Sequence, residues 1–190
     1  MAGLVRTQSQ HTRVGVPIRL KPEDMDYAFD NLGAVILTAA AASIRFDFPT
    51  DYKVLFLDMR LIKDGTVGAP DITLNGDTGA NYDQQLLSGS STTVAGARST
   101  GRAELFAVDA SFNIAANGAL TAQCVIAKQQ SGDEALGLMS AALNGNANDP
   151  AVWFAAGIWN NTADLMSRLD ITASATNFAA GTVAQLYGVR

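Results

Sequence analysis

From residue 43 onward the hydrophobic positions recur every second residue, the spacing of a half-buried β-strand. Ser43 to Phe48 sets Ile44, Phe46 and Phe48 on one face and Ser43, Arg45 and Asp47 on the other, and Pro49 ends the run. Tyr52 to Lys63 places Leu55, Leu57, Met59 and Leu61 on one face; Val54, Phe56 and Ile62 share the other with Asp58 and Arg60. Further runs follow at Asp71 to Leu74, Tyr82 to Leu87, Arg102 to Asp109 and Ala119 to Lys128. Ala135 to Leu143 is apolar without a decisive period. In the last third, Val152, Phe154, Ala156 and Ile158 face opposite to Trp153 and Trp159; Leu169, Ile171 and Ala173 alternate with Arg168, Asp170 and Thr172; and Thr182 to Val189 closes the chain. The pattern predicts about eight to ten strands and no long helix, an all-β antiparallel sandwich of jelly-roll type.

Turn chemistry separates these runs. Asn75-Gly76 tolerates positive φ at least cost and marks a tight reversal, and Asp77, Thr78, Gly79 and Asn81 extend it into an ordered, exposed loop held by its own side chains. Asn144 to Pro150 is a second turn cluster. Ser88 to Thr100, a segment mostly of small residues and too polar to pack as a core element, predicts a long exposed loop. Residues 1–30 show no sustained period and are broken by Pro17 and Pro22, so an N-terminal arm is expected there, with the sandwich over 31–190.

Charge changes the picture mainly in that arm. The 190-residue chain carries a formal net charge of −5, which argues against a general nucleic-acid binder. Yet residues 1–21 hold Arg6, Arg13, Arg19 and Lys21 with no acid, and Glu23, Asp24, Asp26 and Asp30 follow at once. This arrangement suits docking onto complementary partner surfaces, as well as a solvated tail. Only 16% of residues are charged against 48% hydrophobic, a profile common in chains whose surfaces meet neighbours. The start lacks the apolar core of a signal peptide, and Gly33 to Ala42 is far shorter than the roughly 20 residues of a membrane helix. A soluble chain without membrane contact is expected.

Reactive chemistry is thin. Cys124 is the only cysteine and falls in register with Ala122 and Ile126, so a buried thiol is expected. His11 is the only histidine and lies in the arm, which disfavours zinc sites and Ser-His-Asp triads. The loop lacks the Gly-Lys-Ser/Thr ending of a phosphate-binding loop. Asn75, Asp77, Asn81 and Asp83 offer oxygens for calcium without EF-hand spacing. Asp58, Asp77, Glu104, Asp109 and Asp170 leave a carboxylate pair for sugar cleavage open. Trp153 and Trp159 suit packing against a neighbouring sheet or subunit, with a sugar-stacking platform as the alternative. No cofactor, metal or catalytic residue is expected.

Three segments in order carry a resemblance: Ile44 to Leu57 (Ile-Arg-Phe-Asp-Phe-Pro-Thr-Asp-Tyr-Lys-Val-Leu-Phe-Leu), Leu74 to Tyr82 (Leu-Asn-Gly-Asp-Thr-Gly-Ala-Asn-Tyr) and Phe178 to Gly188 (Phe-Ala-Ala-Gly-Thr-Val-Ala-Gln-Leu-Tyr-Gly). Over residues 34–190 the chain resembles β-sandwich structural proteins of tailed-bacteriophage virions. The resemblance implies a virion part assembled in the host cytoplasm: a capsid decoration or head-spike protein, or a tail appendage, with no catalytic residues. Its partners would be further copies of itself, as a trimer, and other capsid or tail proteins. Arg6, Arg13, Arg19, Lys21, Trp153 and Trp159 are the expected contacts. A host-glycan-binding role for the loops at 75–81, 88–100 and 144–150 is the alternative, since binding commonly resides in loops on a rigid sandwich.

Overall fold

The computed structural model describes residues 29–64, 70–90, 92–107, 114, 118–128, 130–144, 150–174 and 176–190. Twelve strands run through them: β1 (Asp30–Ile36), β2 (Ser43–Asp47), β3 (Val54–Ile62), β4 (Pro70–Leu74), β5 (Tyr82–Ser90), β6 (Thr93–Arg102), β7 (Phe106–Ala107), β8 (Ala119–Ala127), β9 (Ala135–Asn144), β10 (Pro150–Trp159), β11 (Arg168–Ala173) and β12 (Val183–Val189). They form an eight-stranded sheet, β1-β12-β3-β8-β9-β10-β5-β6, and a four-stranded sheet, β2-β11-β4-β7. Every strand pair is antiparallel. The fold is an all-β sandwich; the eight-to-four split does not establish jelly-roll wiring. The arm expected over residues 1–30 lies outside the described residues up to residue 28.

The alternation places the core. Leu55, Leu57, Met59 and Leu61 of β3 point inward beside Leu120, Ala122, Cys124 and Ile126 of β8, and Met139 and Leu143 of β9 continue the layer. Ile44, Phe46, Ile72, Leu74, Leu169 and Ile171 of the small sheet close it from the other side. Removing this apolar surface from water is the dominant favourable term of such a fold.

The large sheet receives the segment leading into β7 at a notch. Gly137 of β9 pairs with Gly157 of β10, and both lie in the inward register. A Cβ at Gly157 would stand 2.6 Å from the Leu105 carbonyl oxygen, and one at Gly137 would stand 2.7 Å from Phe106 Cζ. Bare backbone at these positions admits the fully buried Leu105 and Phe106.

Two expectations are corrected. Ser88 to Thr100 is not a loop: the chain reverses between Ser90 and Thr93, and β5 and β6 pair over most of their length. An edge strand needs no buried face, so its small polar residues, held by the backbone ladder, give no hydrophobic signal. Arg102 to Asp109 is not one strand either. β6 ends at Arg102, the chain crosses to the other sheet, and Phe106–Ala107 pairs with β4. Asp109 lies outside the described residues.

Candidate functional site

The loop after β4 is built as a structural clamp. Asn75 (φ 53°) and Gly76 (φ 67°) are both left-handed, as the dipeptide requires, and Asp77 N–H donates to the Leu74 carbonyl at 2.9 Å. The Asn75 side chain turns toward the start of β11: Nδ2 donates to Leu165 O at 2.8 Å, and Oδ1 accepts from Ser167 N at 2.9 Å and Arg168 N at 3.1 Å. Asp77 is used from three directions. Its Oδ1 accepts from Gly79 N at 2.9 Å, Asn81 Nδ2 reaches Oδ2 at 3.0 Å, and Trp159 Nε1 donates to Oδ2 at 2.8 Å. Burial pushes the Asp77 carboxyl up, but these donors outweigh it and hold the group below the usual carboxylate range. Gly79 and Asn81 are exposed, whereas Asn75, Gly76 and Asp77 are half-buried.

Aromatic and cationic groups brace the clamp from beneath. The Tyr82 ring stacks on Trp159 at a centroid distance of 6.4 Å, and its hydroxyl bonds Leu74 N at 3.0 Å and Asp77 O at 3.1 Å. Lys128 Nζ stands 5.0 Å from the Trp159 ring centroid. Burial lowers the pKa of this lysine, while the charges of Asp133 and Asp164 partly restore it. The proposed calcium oxygens therefore do not converge: Asn75 turns to β11, Asp77 is taken by N–H donors, and Asp83 accepts from Gly101 N. Among the described residues no three His, Cys, Asp or Glu side chains gather into a metal-sized group.

Trp153 and Trp159 are corrected as partner contacts. Both point between the sheets, 1% and 0% exposed, and present no surface to a second subunit or a sugar. Their neighbours Val152 and Phe154 stand outside instead. Arg6, Arg13, Arg19 and Lys21 lie outside the described residues. Cys124 is buried, and burial pushes its thiol well up, which makes it a poor nucleophile.

The candidate carboxylates Glu104 and Asp170 are each engaged by an arginine, and Asp77 by N–H donors. Asp58 is exposed on the large sheet, Glu104 is ion-paired with Arg102, and the buried Asp170 stands 2.7 Å from Arg168 Nε. One titratable group was not singled out from the sequence: Asp71 of β4, raised to about 6, first by burial and then by the nearby charge of Glu104. Asp71 alternates with the buried Ile72, so its position gave a hint; its charged neighbours, distant in sequence, gave none.

The most extensive feature is the outer face of the eight-stranded sheet. Leu87, Val125, Leu136, Leu138, Val152 and Phe154 project from it, each between 38% and 58% exposed. The register makes them neighbours: Val125 lies opposite Leu138, and Phe154 opposite Leu87. A shallow groove of about 300 Å³ runs beside them, lined by Thr121, Gln123, Ser140, Ala142, Val152 and Phe154. Another, about 350 Å³, lies toward β12 between Phe29, Phe56, Asp58, Gln123, Val125 and Tyr187. The outward charges of β3, β8, β9, β10, β5 and β6 are Asp58, Arg60, Asp83 and Arg98, two of each sign; Asp83 and Arg98 lie on the last two strands, and Asp58 borders the second groove. An apolar patch with few charges is the layout of a protein interface.

No protein-family model matches this chain, and no curated protein does.

Proposed function

We propose that this chain is a non-enzymatic structural subunit of a tailed-phage virion, assembling on the particle surface with copies of itself and with capsid or tail proteins. The observation that supports it is the apolar outer face of the large sheet; the virion assignment rests on the resemblance of the three segments quoted above. Contiguous apolar surface of this kind marks an interaction site, because a solitary subunit gains nothing by holding it in water. The face also suits self-association. The chain carries −5 overall, but the outward charges of this face cancel, so a second copy approaches it without net repulsion.

Magnitude sets the terms of assembly. Six half-exposed side chains amount to about three full burials, or roughly 5–9 kcal/mol at ~1.5–3 kcal/mol each. Association costs on the order of 4–15 kcal/mol, so the face alone supports only a modest complex and further contacts must add to it. The test is light scattering of the full chain across a concentration series, with Leu138→Glu and Phe154→Asp as paired variants, followed by labelling of intact particles. A stable oligomer that both variants dissociate without changing the β-type circular dichroism is expected, together with label on the particle. A chain that stays monomeric at every concentration, or particles that never carry it, would overturn the reading.

A further inference from the structure

The four edges of the two sheets are not treated alike. In the small sheet, β7 is two residues long and β2 is five, with the Arg45–Asp47 ion pair standing on it. In the large sheet, β1 is interrupted by a register shift between Asn31 and Gly33. Shortness, charge and bulges are the usual ways of making an edge refuse a further strand. β6 has almost none of them from Thr93 to Ser99; its own register shift against β5 comes only beyond Ser99, where Gly101 is left-handed. It runs ten residues, Thr-Val-Ala-Gly-Ala-Arg-Ser-Thr-Gly-Arg, without proline, and Arg98 is the only charge before its last residue. Eight of its ten residues are exposed.

The register tells which of its backbone groups have no strand partner among the described residues. Ser90 pairs with Thr93 across a two-residue connection, and such a connection is closed by a hydrogen-bonded pair. Alternation then turns the N–H and C=O groups of Ala95, Ala97 and Ser99 toward β5, and those of Val94, Gly96 and Arg98 away from the sheet.

We propose that the free edge of β6 pairs antiparallel with β6 of a second copy, about a two-fold axis through Ala97, joining two eight-stranded sheets into one. This rests on the proposed self-assembly and names its partner strand. The sequence is complementary to itself about that axis. Gly96 falls opposite Arg98 of the second copy, so the one central charge meets a residue with no side chain. Ala97 falls opposite its own copy, and the ladder reaches out to Val94, which meets Thr100 where β6 leaves its register with β5. The Ala97 pair is not hydrogen-bonded, and its two Cα atoms come within about 4.5 Å. A face-to-face contact on the outer surface leaves this edge free, so the two contacts can coexist.

The axis makes the test sharp. Cys124 is buried, so the wild-type chain has no accessible thiol. Two cysteines about 4.5 Å apart at Cα lie within disulfide reach. Under mild oxidation the full-length Ala97→Cys chain is expected to convert almost completely to a covalent dimer. Thr50→Cys, exposed and remote from β6, should stay at background. Adding Gly96→Pro removes an outward N–H without touching the β5 ladder, and should return Ala97→Cys to background while the circular dichroism stays unchanged. Cross-linking no better than Thr50→Cys, or indifferent to Gly96→Pro, overturns the proposal. A disulfide that forms instead with Val16→Cys in a double variant would give the edge to this chain's own N-terminal segment, and also overturns it. If cross-linking fails while light scattering still shows an oligomer, the edge pairing falls and the proposed self-assembly stands.

Discussion

Replacing Gly157 by alanine tests the way the two sheets meet. A Cβ at that position would lie 2.6 Å from the Leu105 carbonyl oxygen and 2.8 Å from Leu105 Cδ1. Ordinary contact begins near 3.4 Å, so the carbonyl must retreat by 3.4 − 2.6, or 0.8 Å. The obstacle is backbone, and it is anchored: Leu105 N–H donates to Ile72 O at 2.8 Å, and the next residue begins the ladder to β4. Forcing an extra methyl into a packed core costs about 1–3 kcal/mol, and an anchored carbonyl puts this site toward the upper end. Restricting the unfolded chain returns about 0.4–1 kcal/mol, leaving a net loss of roughly 1–2.5 kcal/mol.

Two more glycines turn that figure into an ordering. At Gly137 the nearest atom, at 2.7 Å, is Phe106 Cζ, the far end of a ring that can tilt, so Gly137→Ala should cost less. At Gly96 the nearest atom is Leu86 O at 3.6 Å, an ordinary contact, so Gly96→Ala should be neutral or gain up to about 1 kcal/mol. Urea unfolding at fixed protein concentration measures all three. With roughly 2–4 °C per kcal/mol for a chain of this size, Gly157→Ala should melt about 2–10 °C low. A Gly157→Ala chain as stable as wild type, or a reversed order, would show that the sheets do not meet through this notch.

Other expected outcomes follow from the clamp and the charged groups. Trp159→Phe removes a donor to a carboxylate, worth about 1.5–3 kcal/mol, whereas Trp153 Nε1 has no acceptor among the described residues, so Trp153→Phe should cost distinctly less by urea denaturation. Asp71 has a raised folded pKa, about 6 against an ordinary 3.8, so the folded state holds its proton more tightly and stability falls as pH rises across that window. The shift corresponds to at most about 3 kcal/mol, and partial solvent screening brings it to roughly 1–2 kcal/mol. Asp71→Asn should therefore stabilise the protein at pH 7 and make little difference at pH 4; equal stabilities at pH 7 would refute this. Calcium should leave the melting temperature unchanged, because Asp77 already spends its oxygens on N–H donors; a rise that saturates with calcium would refute the clamp.

What the sequence made legible tracks how one-sided each strand is. β3 announced itself because Leu55, Leu57, Met59 and Leu61 are buried while Asp58 and Arg60 are not. β10 was found as a strand but not oriented. Val152 and Phe154 on one face and Trp153 and Trp159 on the other are all apolar, and a period of two reports alternation without saying which side is inside. β6 was missed for the opposite reason: with both faces in solvent it has no hydrophobic period at all. Within the clamp, the Asn75-Gly76 turn and the bonding of Asp77 to Gly79 and Asn81 could be read locally, whereas the Asn75 side-chain bonds to Leu165, Ser167 and Arg168 could not. Nor could the Trp159 bond, which spans 82 residues.

The two apolar faces of β10 bear on assembly. A central strand with bulky apolar residues on both faces is at home between two covering layers. Here the four-stranded sheet covers one side and takes the tryptophans, and the described residues offer no second layer for Leu138, Phe154 and their neighbours. Exchanging the two faces therefore changes which residues would meet a partner, not the reason for expecting one. The edges add direction. A face permits many rotations of one copy on another, because apolar contact is non-directional. A ladder of backbone hydrogen bonds admits one register at a time, and a shift by one residue turns every side chain over. An assembly that uses both surfaces would draw much of its burial from the face and its geometry from β6. A change on the face should then weaken association without altering which cysteines cross-link, whereas Gly96→Pro should abolish the Ala97 cross-link and leave the weaker association of the faces in place.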